Sequence, residues 1–323
     1  MDVGALKEWF IEEKRDLPWR RSPTPYQVWV SEVMLQQTQV SVVLDYYKRW
    51  MVQFPTVEKL AAASLEEVIK AWEGLGYYSR ARNLHATAKI LVERYQGQLP
   101  STYEGLEQLK GFGPYTIGAI LSFAYHQKAA AVDGNVLRVI ARHFLIEDDI
   151  GSGITQKKIR DLTQGLLPDR DPHIAMEALI ELGARVCKKK PLCTLCPVQE
   201  DCLALRAGKA EALPIKKNKV ETVSLKRDVS VIFHGDSLLL RKERKGKVMA
   251  DLYEFPYEKQ FLLDMSLVLE MEPIKHSFTR YRVELFPRLW EASKKDMVED
   301  YQWIPWKEAV ALPFSSGHRR ILK

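Results

Sequence analysis

Residues 109–120 read LKGFGPYTIGAI, with three glycines and a proline between two segments of helical character. Apolar residues recur in this stretch at helical spacing, but Gly111, Gly113 and Pro114 should interrupt any helix that runs through them. A helix, a tight Gly-x-Gly turn and a second helix would form a helix-hairpin-helix element, whose second helix begins with backbone amides that can face a DNA phosphate. A simple turn between two helices is the more common explanation of a lone Gly-x-Gly. Other motifs must decide between these two interpretations.

The composition favours a globular protein of two domains. The chain has 323 residues, of which 46% are hydrophobic, and its net charge is +6. No apolar run approaches the length of a membrane span, and the first residues form a charged amphipathic pattern, not a signal peptide. We therefore expect a cytoplasmic, nucleoid-associated protein with no membrane partner. The positive charge favours a polyanionic partner such as nucleic acid, although many basic proteins bind none.

The first part of the chain has a helical pattern. Up to about residue 206, apolar residues recur at helical spacing, and short turns with glycine or proline separate the segments. Thr24 and Pro25 form a helix start signal, and the helical rhythm that begins there continues to Pro55. We assign residues 1–206 to an all-α domain, with the hairpin at about 103–125.

The second part has a different character. Residues 207–228 are basic and show little helical pattern, which indicates an exposed linker. Strand patterns follow in VSVIFH, SLLLRKE and RYRVELFPRLWEA, and WKEAVAL near the end has a helical pattern. Residues 229–323 are therefore predicted to form a smaller α/β domain, which makes the fold multidomain.

Two carboxylates could carry acid–base chemistry. Glu32 shares an apolar helical stripe with Val28 and Leu35, where a carboxyl should have a raised pKa and deliver a proton near neutral pH. Asp133, in AVDGNVLRV, precedes a helix whose positive end should keep a carboxylate ionised, able to stabilise a sugar cation or activate water. Taken alone, each residue has a more common explanation: Glu32 reaching solvent at the edge of its stripe, and Asp133 capping a helix.

All four cysteines lie in one block with the spacing C-x5-C-x2-C-x5-C. Such clustering indicates a metal site in a reducing compartment and not a set of disulfides. Zinc sites usually combine two C-x2-C pairs, whereas one central pair with longer flanks favours a [4Fe–4S] cluster. Its ligands would be Cys187, Cys193, Cys196 and Cys202. Three lysines lie between the first two cysteines and could face phosphate or form a solvated loop; they are Lys188, Lys189 and Lys190.

Together, and in this order, these pieces resemble the helix-hairpin-helix DNA glycosylases. Five segments followed by a basic linker are similar to the MutY family of adenine DNA glycosylases; they are LPWRR, SEVMLQQTQV, GLGYYSRARNL, VDGNVLRV and EALIELGA. The resemblance covers nearly the whole chain and is specific in the first 205 residues or so. It implies a monomer that removes adenine mispaired with 8-oxoguanine, or with guanine, from double-stranded DNA after flipping the adenine into a pocket.

The resemblance also implies the roles of individual residues. Glu32 would protonate the adenine, and Asp133 would stabilise the cationic sugar before water completes hydrolysis. Tyr115 and Asn135 would support these two from the pocket wall. Residues matching the family's adenine pocket are Arg15, Trp19, Arg20 and Glu177, and those matching its duplex-inserting residues are Gln37 and Tyr77. The turn that contacts DNA phosphate would consist of Gly111, Gly113 and Thr116.

The C-terminal part resembles the Nudix-like domain that recognises 8-oxoguanine in this family, through DLYEFP and KHSFTRYRVEL. The full Nudix box is missing, so no pyrophosphatase activity is expected. Where the family commonly has Phe-Ser-His, this chain has Phe278, Thr279 and Arg280. Thr279 keeps a hydroxyl for the damaged base, whereas Arg280 has no acceptor and adds a fixed charge. The first cysteine gap is five residues, one fewer than relatives usually have.

Three alternatives compete with this interpretation. An endonuclease III-like glycosylase/lyase attacks the sugar with a lysine amine placed just before the threonine of the second hairpin helix. Tyr115 occupies that position here, and Lys110 lies on the other side of the turn, which favours hydrolytic base excision. A non-catalytic iron–sulfur DNA-binding protein would not need both carboxylates. The third alternative is zinc in place of the cluster.

Overall fold

The computed structural model describes residues 1–21, 23–217, 221–244, 246–257 and 264–323; part of the predicted linker, 218–220, and part of the predicted second domain, 245 and 258–263, lie outside them. The chain divides into two compact units. The first consists of Met1–Tyr47, Thr56–Glu58 and Thr87–Lys219, and the second of Lys48–Pro55, Lys59–Ala86 and Val220–Lys323. Two stretches that the sequence analysis assigns to the helical domain therefore belong to the second unit.

Of the α-helices in the described residues, twelve precede the strands along the chain and two follow the strands. They are α1 Val3–Glu13, α2 Pro25–Leu35, α3 Val40–Gln53, α4 Val57–Ala62, α5 Leu65–Ala71, α6 Ser79–Tyr95, α7 Tyr103–Glu107, α8 Pro114–Ala119, α9 Gly134–His143, α10 Gly153–Leu166, α11 Pro172–Arg185, α12 Leu203–Arg206, α13 Trp306–Ala309 and α14 Ser316–Ile321.

The core of the first unit forms where α1, α9 and α11 pack together. Each of these helices presents an apolar face, as shown by the buried side chains of Leu6 and Phe10 on α1, Ile140 on α9, and Leu179 and Leu182 on α11. α10 and α12 pack against α9, and α2 packs against α8. The predicted all-α character of this part of the chain is confirmed.

α2 begins where the sequence predicts, but it ends earlier than predicted. Thr24 and Gln27 form a reciprocal capping box, in which each side chain accepts a hydrogen bond from the backbone N–H of the other residue. The helical rhythm predicted to continue to Pro55 is wrong at residues 36–39. Gln36 leaves the helical conformation with ψ 112°, and Gln37 has φ 57°. The chain thus forms two helices, and their junction presents Gln37 in a left-handed conformation.

The predicted hairpin consists of α7, a turn and α8. Gly111 has φ 88°, a left-handed value that favours glycine, whereas Gly113 is extended and caps α8. The second helix begins at Pro114, but it does not continue regularly as predicted: residues Ile120–Ala124 form a π-helical turn. Gly118 faces the backbone of Ala130, so only a residue without a Cβ atom permits this close packing.

The second unit contains a mixed β-sheet. Its strands are β1 Val223–His234, β2 Ser237–Lys242, β3 Tyr253–Glu254, β4 Met265–Glu270, β5 Ile274–Phe278, β6 Tyr281–Ala292 and β7 Gln302–Pro305. The main order is β3-β2-β1-β6-β4, with β5 paired to β6 and β7 to β2. β1 and β6 are parallel, from Val223 opposite Tyr281 to Phe233 opposite Glu291. The described part of the predicted second domain is therefore α/β, as expected.

Some elements were not predicted. β1 begins at Val223, inside the stretch interpreted as linker, and β3, β4, β5, β7 and α14 have no counterpart among the predicted strands and helices. β4 contains three consecutive apolar residues, Leu267, Val268 and Leu269, so it lacks the alternation of apolar and polar residues that identifies a strand, and it is exposed along almost its whole length. None of the described helices is both long enough and apolar enough to cross a membrane.

Two glycine-to-alanine substitutions should change stability in opposite directions. A Cβ atom at Gly118 would overlap the Ala130 carbonyl group, so Gly118→Ala should lower the free energy of unfolding by about 1–3 kcal/mol. Gly165 on α10 has open space, and Gly165→Ala should raise it by about 0.5 kcal/mol through helix propensity. Urea unfolding of both variants measures the two effects. Equal stability of the variants would contradict the packing described for α8.

Candidate active site

Glu32 is a buried acid on α2, with only 7% of its surface exposed. The hydroxyl of Tyr115 donates a hydrogen bond to its Oε2 atom. Burial raises the pKa of Glu32 from 4.5 to about 7; the hydrogen bond from Tyr115 lowers it, and the charges of Asp133 and Glu177 raise it further. The predicted direction of the shift is confirmed. Near neutral pH a large fraction of Glu32 carries a proton that it can transfer.

Asp133 is the N-cap of α9. Its Oδ1 accepts hydrogen bonds from the backbone N–H groups of Asn135 and Val136, at 2.9 and 2.8 Å, and its Oδ2 accepts one from the Asn135 side chain at 2.7 Å. The capping position is as predicted. Burial raises the pKa of Asp133 above its ordinary value, although the hydrogen bonds of Val136 and Asn135 and the charge of Arg138 lower it. The helix terminus therefore offsets only part of the cost of burying this carboxylate.

A cavity of about 1130 Å³ in the first unit brings most of the predicted site residues together. Those that line it are Arg15, Trp19, Arg20, Glu32, Gln37, Gly111, Gly113, Tyr115, Thr116, Asp133, Asn135 and Glu177. Trp19 is buried and packs edge-to-face on Tyr47, with ring centroids 5.3 Å apart. The acid, the helix-capping carboxylate and the residues expected around an adenine thus share one cavity.

Two arginines hold one wall of this cavity through two glutamates of α11. Arg20 Nε lies 2.7 Å from Glu177 Oε2, and Arg20 Nη2 lies 3.0 Å from Glu181 Oε2. Arg15 binds the same Glu181 through Nε at 2.6 Å and Nη2 at 2.9 Å. Burial would raise the pKa of Glu181, but the hydrogen bonds and charges of Arg15 and Arg20 outweigh it and lower the pKa. The sequence analysis missed Glu181, although it lies one helical turn after Glu177 and therefore on the same face.

The turn before α8 places Tyr115 in the cavity. Tyr115 follows Pro114 at the start of the helix, and its side chain reaches Glu32. Lys110 is exposed and is not among the residues that line the cavity in the described part of the chain. The Thr116 side chain is buried, and its hydroxyl accepts a hydrogen bond from Gln36 Nε2 at 3.2 Å. The phosphate contact of this turn, which would use backbone N–H groups, stays a prediction.

Arg138 connects the capping carboxylate to the cysteine loop, and the sequence analysis did not identify it. Its Nη2 atom donates to Asn135 Oδ1 and to the Gly183 carbonyl, both at 2.8 Å, and its Nε donates to the Cys187 carbonyl at 2.7 Å. Asn135 in turn binds Asp133. The spacing of three residues between Asn135 and Arg138 places both on one face of α9, which is the only sequence signal for this contact.

The four cysteines are free thiols on the segment that follows α11. Arg142 donates to the sulfur of Cys187 at 3.4 Å and to the carbonyl of Lys188 at 2.6 Å. Burial raises the pKa of the Cys196 thiol to about 11; the backbone N–H of Val198 opposes the shift, and the other three cysteines increase it. Within the described residues, no three histidine, cysteine or carboxylate side chains converge closely enough to hold a single metal ion. The side chains of the three predicted loop lysines are exposed; they are Lys188, Lys189 and Lys190.

Of the residues predicted to lie around the damaged base, Gln37 belongs to the first unit, and the other three belong to the second. Tyr77, Phe278 and Thr279 line a cavity of about 580 Å³ there. Tyr77 is 41% exposed, and both Tyr77 and Thr279 have a φ of 47°, an uncommon left-handed value for residues with a side chain. The guanidinium of Arg280 lies 5.4 Å from the ring centroid of Tyr281. Two of the loops that line this cavity therefore each contain a residue in the left-handed backbone conformation, Tyr77 in one and Thr279 in the other.

Comparisons with known proteins agree with the geometry of the first unit. The family profile of the HhH-GPD superfamily base excision DNA repair protein matches residues 30–165. A solved structure of a thermostable thymine-DNA glycosylase is similar at a TM-score of 0.57 and 26% identity, covering 64% of this chain and 95% of that one. The adenine DNA glycosylase of Rattus norvegicus is 48% identical over 230 residues, covering 66% of this chain.

A fuller alignment decides the family. The adenine DNA glycosylase of Buchnera aphidicola from Acyrthosiphon pisum is 30% identical over 290 residues, covering 85% of this chain and 82% of that protein. The chain belongs to the adenine DNA glycosylase family. It spans only 45% of the length of the rat relative, so the longer relatives contain sequence beyond the matched part.

Replacing Glu32 should change how stability depends on pH. Since the pKa of Glu32 rises from 4.5 in the unfolded chain to about 7 in the native protein, the native state binds more protons between these values. Stability therefore falls as the pH rises through this window, by on the order of 3 kcal/mol. Glu32→Gln, which does not titrate, should remove most of this loss.

Urea unfolding at about pH 5 and about pH 8 measures the difference. Glu93→Gln, which removes an exposed carboxyl of α6, is the matched control and should retain the pH dependence of the parent protein. If Glu32→Gln lost as much stability between the two pH values as the parent, Glu32 would not hold a raised pKa.

Proposed function

We propose that this protein hydrolyses the N-glycosidic bond of adenine in double-stranded DNA, at an adenine paired with 8-oxoguanine or guanine. The observation that carries the proposal is the buried Glu32, whose pKa of about 7 makes it an acid near neutral pH, in one cavity with Asp133. Membership of the adenine DNA glycosylase family supports the choice of base. The adenine must leave the base stack to reach such an acid, which requires base flipping into the cavity.

Glu32 and Asp133 have different roles in the proposed reaction. Glu32 transfers its proton to a ring nitrogen of adenine, so that the electron pair of the breaking C–N bond leaves on a neutral base. The sugar becomes oxocarbenium-like, and the carboxylate of Asp133, fixed by Asn135 and two backbone N–H groups, stabilises its positive charge. Water then adds to the sugar carbon and loses a proton. Tyr115 orients the acid by its hydrogen bond.

A lyase step does not suit this cavity. An endonuclease III-like enzyme would attack the sugar with a lysine amine. Tyr115 occupies the corresponding place at the start of α8, while the nearby Lys110 is exposed and its carbonyl accepts a hydrogen bond from Thr87. These contacts support a monofunctional hydrolase. Efficient borohydride trapping of the protein on damaged DNA through a lysine would contradict this part of the proposal.

Recognition of 8-oxoguanine is proposed for the second unit. Its mixed sheet is compatible with a Nudix-like domain, and the cavity lined by Tyr77, Phe278 and Thr279 offers two aromatic rings and a hydroxyl. A planar base can stack on such rings, and the hydroxyl can bond its edge. A monomer that binds duplex DNA would use the Gly111 turn and the exposed loop lysines for phosphate contacts, without base readout.

The cysteine segment suits a [4Fe–4S] cluster in its donor chemistry. It supplies four free thiols, and Arg142 donates to the sulfur of Cys187, which stabilises thiolate charge. A cluster is larger than a single ion and takes its four thiolates on different iron atoms, so it needs a wider arrangement than a zinc site. Cys187, Cys193, Cys196 and Cys202 would hold it, and its contribution would be structural. An iron content near zero after anaerobic purification would contradict this assignment.

Single-turnover kinetics tests the proposed function. Duplexes with one adenine opposite 8-oxoguanine or guanine should release adenine, whereas duplexes with uracil or thymine glycol should not react. Glu32→Gln and Asp133→Asn should each reduce the rate by at least about 100-fold, because they remove the acid and the charge that stabilises the sugar cation.

The matched control is Asp161→Asn, which removes an exposed carboxylate of α10 that pairs with Lys157 and should leave the rate unchanged. Binding of each variant to the mispaired duplex shows whether it is folded. Release of only uracil or thymine glycol by the parent protein would refute the substrate assignment. Excision at the parent rate by Asp133→Asn, with binding intact, would refute the mechanism.

A further inference from the structure

Glu73 and Arg319 form a two-pronged ion pair within the second unit. Arg319 Nε lies 2.6 Å from Glu73 Oε1, and Arg319 Nη2 lies 3.1 Å from Glu73 Oε2. The side chain of Arg319 is only 19% exposed, and that of Glu73 only 13%. Two parallel hydrogen bonds between a guanidinium and a carboxylate fix the orientation of both groups as well as their distance. This pair is therefore more rigid than an ordinary surface salt bridge.

Further contacts extend the pair into a small network. Lys70 Nζ lies 2.7 Å from Glu73 Oε2 and donates to the Leu312 carbonyl at 3.0 Å. Arg319 Nη1 donates to the Val310 carbonyl at 3.0 Å, and its guanidinium lies 4.9 Å from the ring centroid of Phe314. These contacts join α5 and the residues directly after it to the segment 310–314. The three charged residues are called the clamp below; they are Lys70, Glu73 and Arg319.

The clamp borders two of the loops that line the 580 Å³ cavity, 74–78 and the turn at Phe278. Glu73 directly precedes the loop 74–78, which carries Tyr77 and in which the Tyr78 hydroxyl accepts from the Gly74 N–H at 3.2 Å. Arg319 lies on α14, which packs against β5, and β5 ends at Phe278. None of the three clamp residues lines the cavity in the described part of the chain. Any effect on a ligand must therefore be indirect, through segments that line the cavity, such as these two loops.

The loops need such support because of their backbone conformations. Tyr77 and Thr279 both have a φ of 47°, which costs energy for residues with a Cβ atom and persists only where surrounding contacts impose it. Removing Glu73 leaves Lys70 and Arg319 without their shared carboxylate, and removing Arg319 leaves Glu73 held by Lys70 without the two-pronged contact, so the local structure rearranges. The loop 74–78 and the turn at Phe278 would then lose their fixed spacing.

We propose that the clamp is a positioning device that holds Tyr77 against the turn of Phe278 and Thr279, and thereby sets the preference for adenine opposite 8-oxoguanine over adenine opposite guanine. This inference rests on the proposed function for the identity of the base. The clamp itself, as a constraint on two loops, can be tested without DNA.

The test compares Glu73→Gln, Arg319→Gln and the double variant with the parent protein. Single-turnover excision is measured on 8-oxoguanine:adenine and guanine:adenine duplexes, and hydrogen exchange is measured on the free proteins. Each single variant should lower the ratio of the two rates by about tenfold, and the double variant should lose no more than either single one, because the residues act as a pair. Amide exchange should accelerate in residues 74–78 and 277–280 and stay unchanged in the first unit.

The matched control is Arg288→Gln, which breaks ion pairs with Asp228 and Glu270 in the same unit but away from this cavity. It should leave the rate ratio and the exchange of both loops unchanged. If Glu73→Gln does not fold, Arg319→Lys, which keeps the charge but not the two-pronged geometry, replaces it and should show the same changes at smaller size.

An unchanged rate ratio together with unchanged exchange in both loops would overturn the inference. Equal losses in Arg288→Gln would also overturn it, because they would indicate general destabilisation. If the parent protein released adenine from neither duplex, the proposed function would fail, and exchange in residues 74–78 and 277–280 would still decide whether the clamp fixes the loops.

Discussion

The hydrogen bond from Tyr115 to the buried carboxyl of Glu32 links the fold of the first unit to its chemistry. Glu32 belongs to α2, and Tyr115 stands at the start of α8, so the bond requires these two helices to pack together as they do. The left-handed Gly111 and the close packing of Gly118 on Ala130 fix the position of α8. The backbone conformation of the turn before α8 therefore determines where the Tyr115 hydroxyl meets the carboxyl of Glu32.

The cavity balances two carboxylates in different ways. Burial raises the pKa of both carboxyls. At Glu32 a hydrogen bond from Tyr115 opposes it and the pKa reaches about 7, whereas at Asp133 three hydrogen bonds from its own helix start oppose it. Arg15 and Arg20 both bind the buried Glu181, and their hydrogen bonds and charges lower its pKa. Different environments for two similar groups are what acid-assisted cleavage of a glycosidic bond requires.

Local features of the site could be predicted from the sequence, and features that depend on distant partners could not. The Thr24 cap, the Asp133 cap and the burial of Glu32 follow from spacing within one helix. The pairing of Glu181 with Arg15 joins segments far apart in sequence, which helical periodicity does not encode, and the break at Gln37 falls in a helical rhythm that contains no glycine or proline there. The parallel pairing of β1 with β6 joins residues far apart in sequence, so no single strand pattern contains it.

The pH dependence of adenine excision under single-turnover conditions tests the role of Glu32 most directly. If protonated Glu32 donates the proton, the rate on an 8-oxoguanine:adenine duplex should fall about tenfold per pH unit above its pKa of about 7, because the acid form disappears. Below that pKa the rate should level off unless another group titrates. A rate that stays constant from about pH 6 to about pH 9 would contradict proton transfer from Glu32.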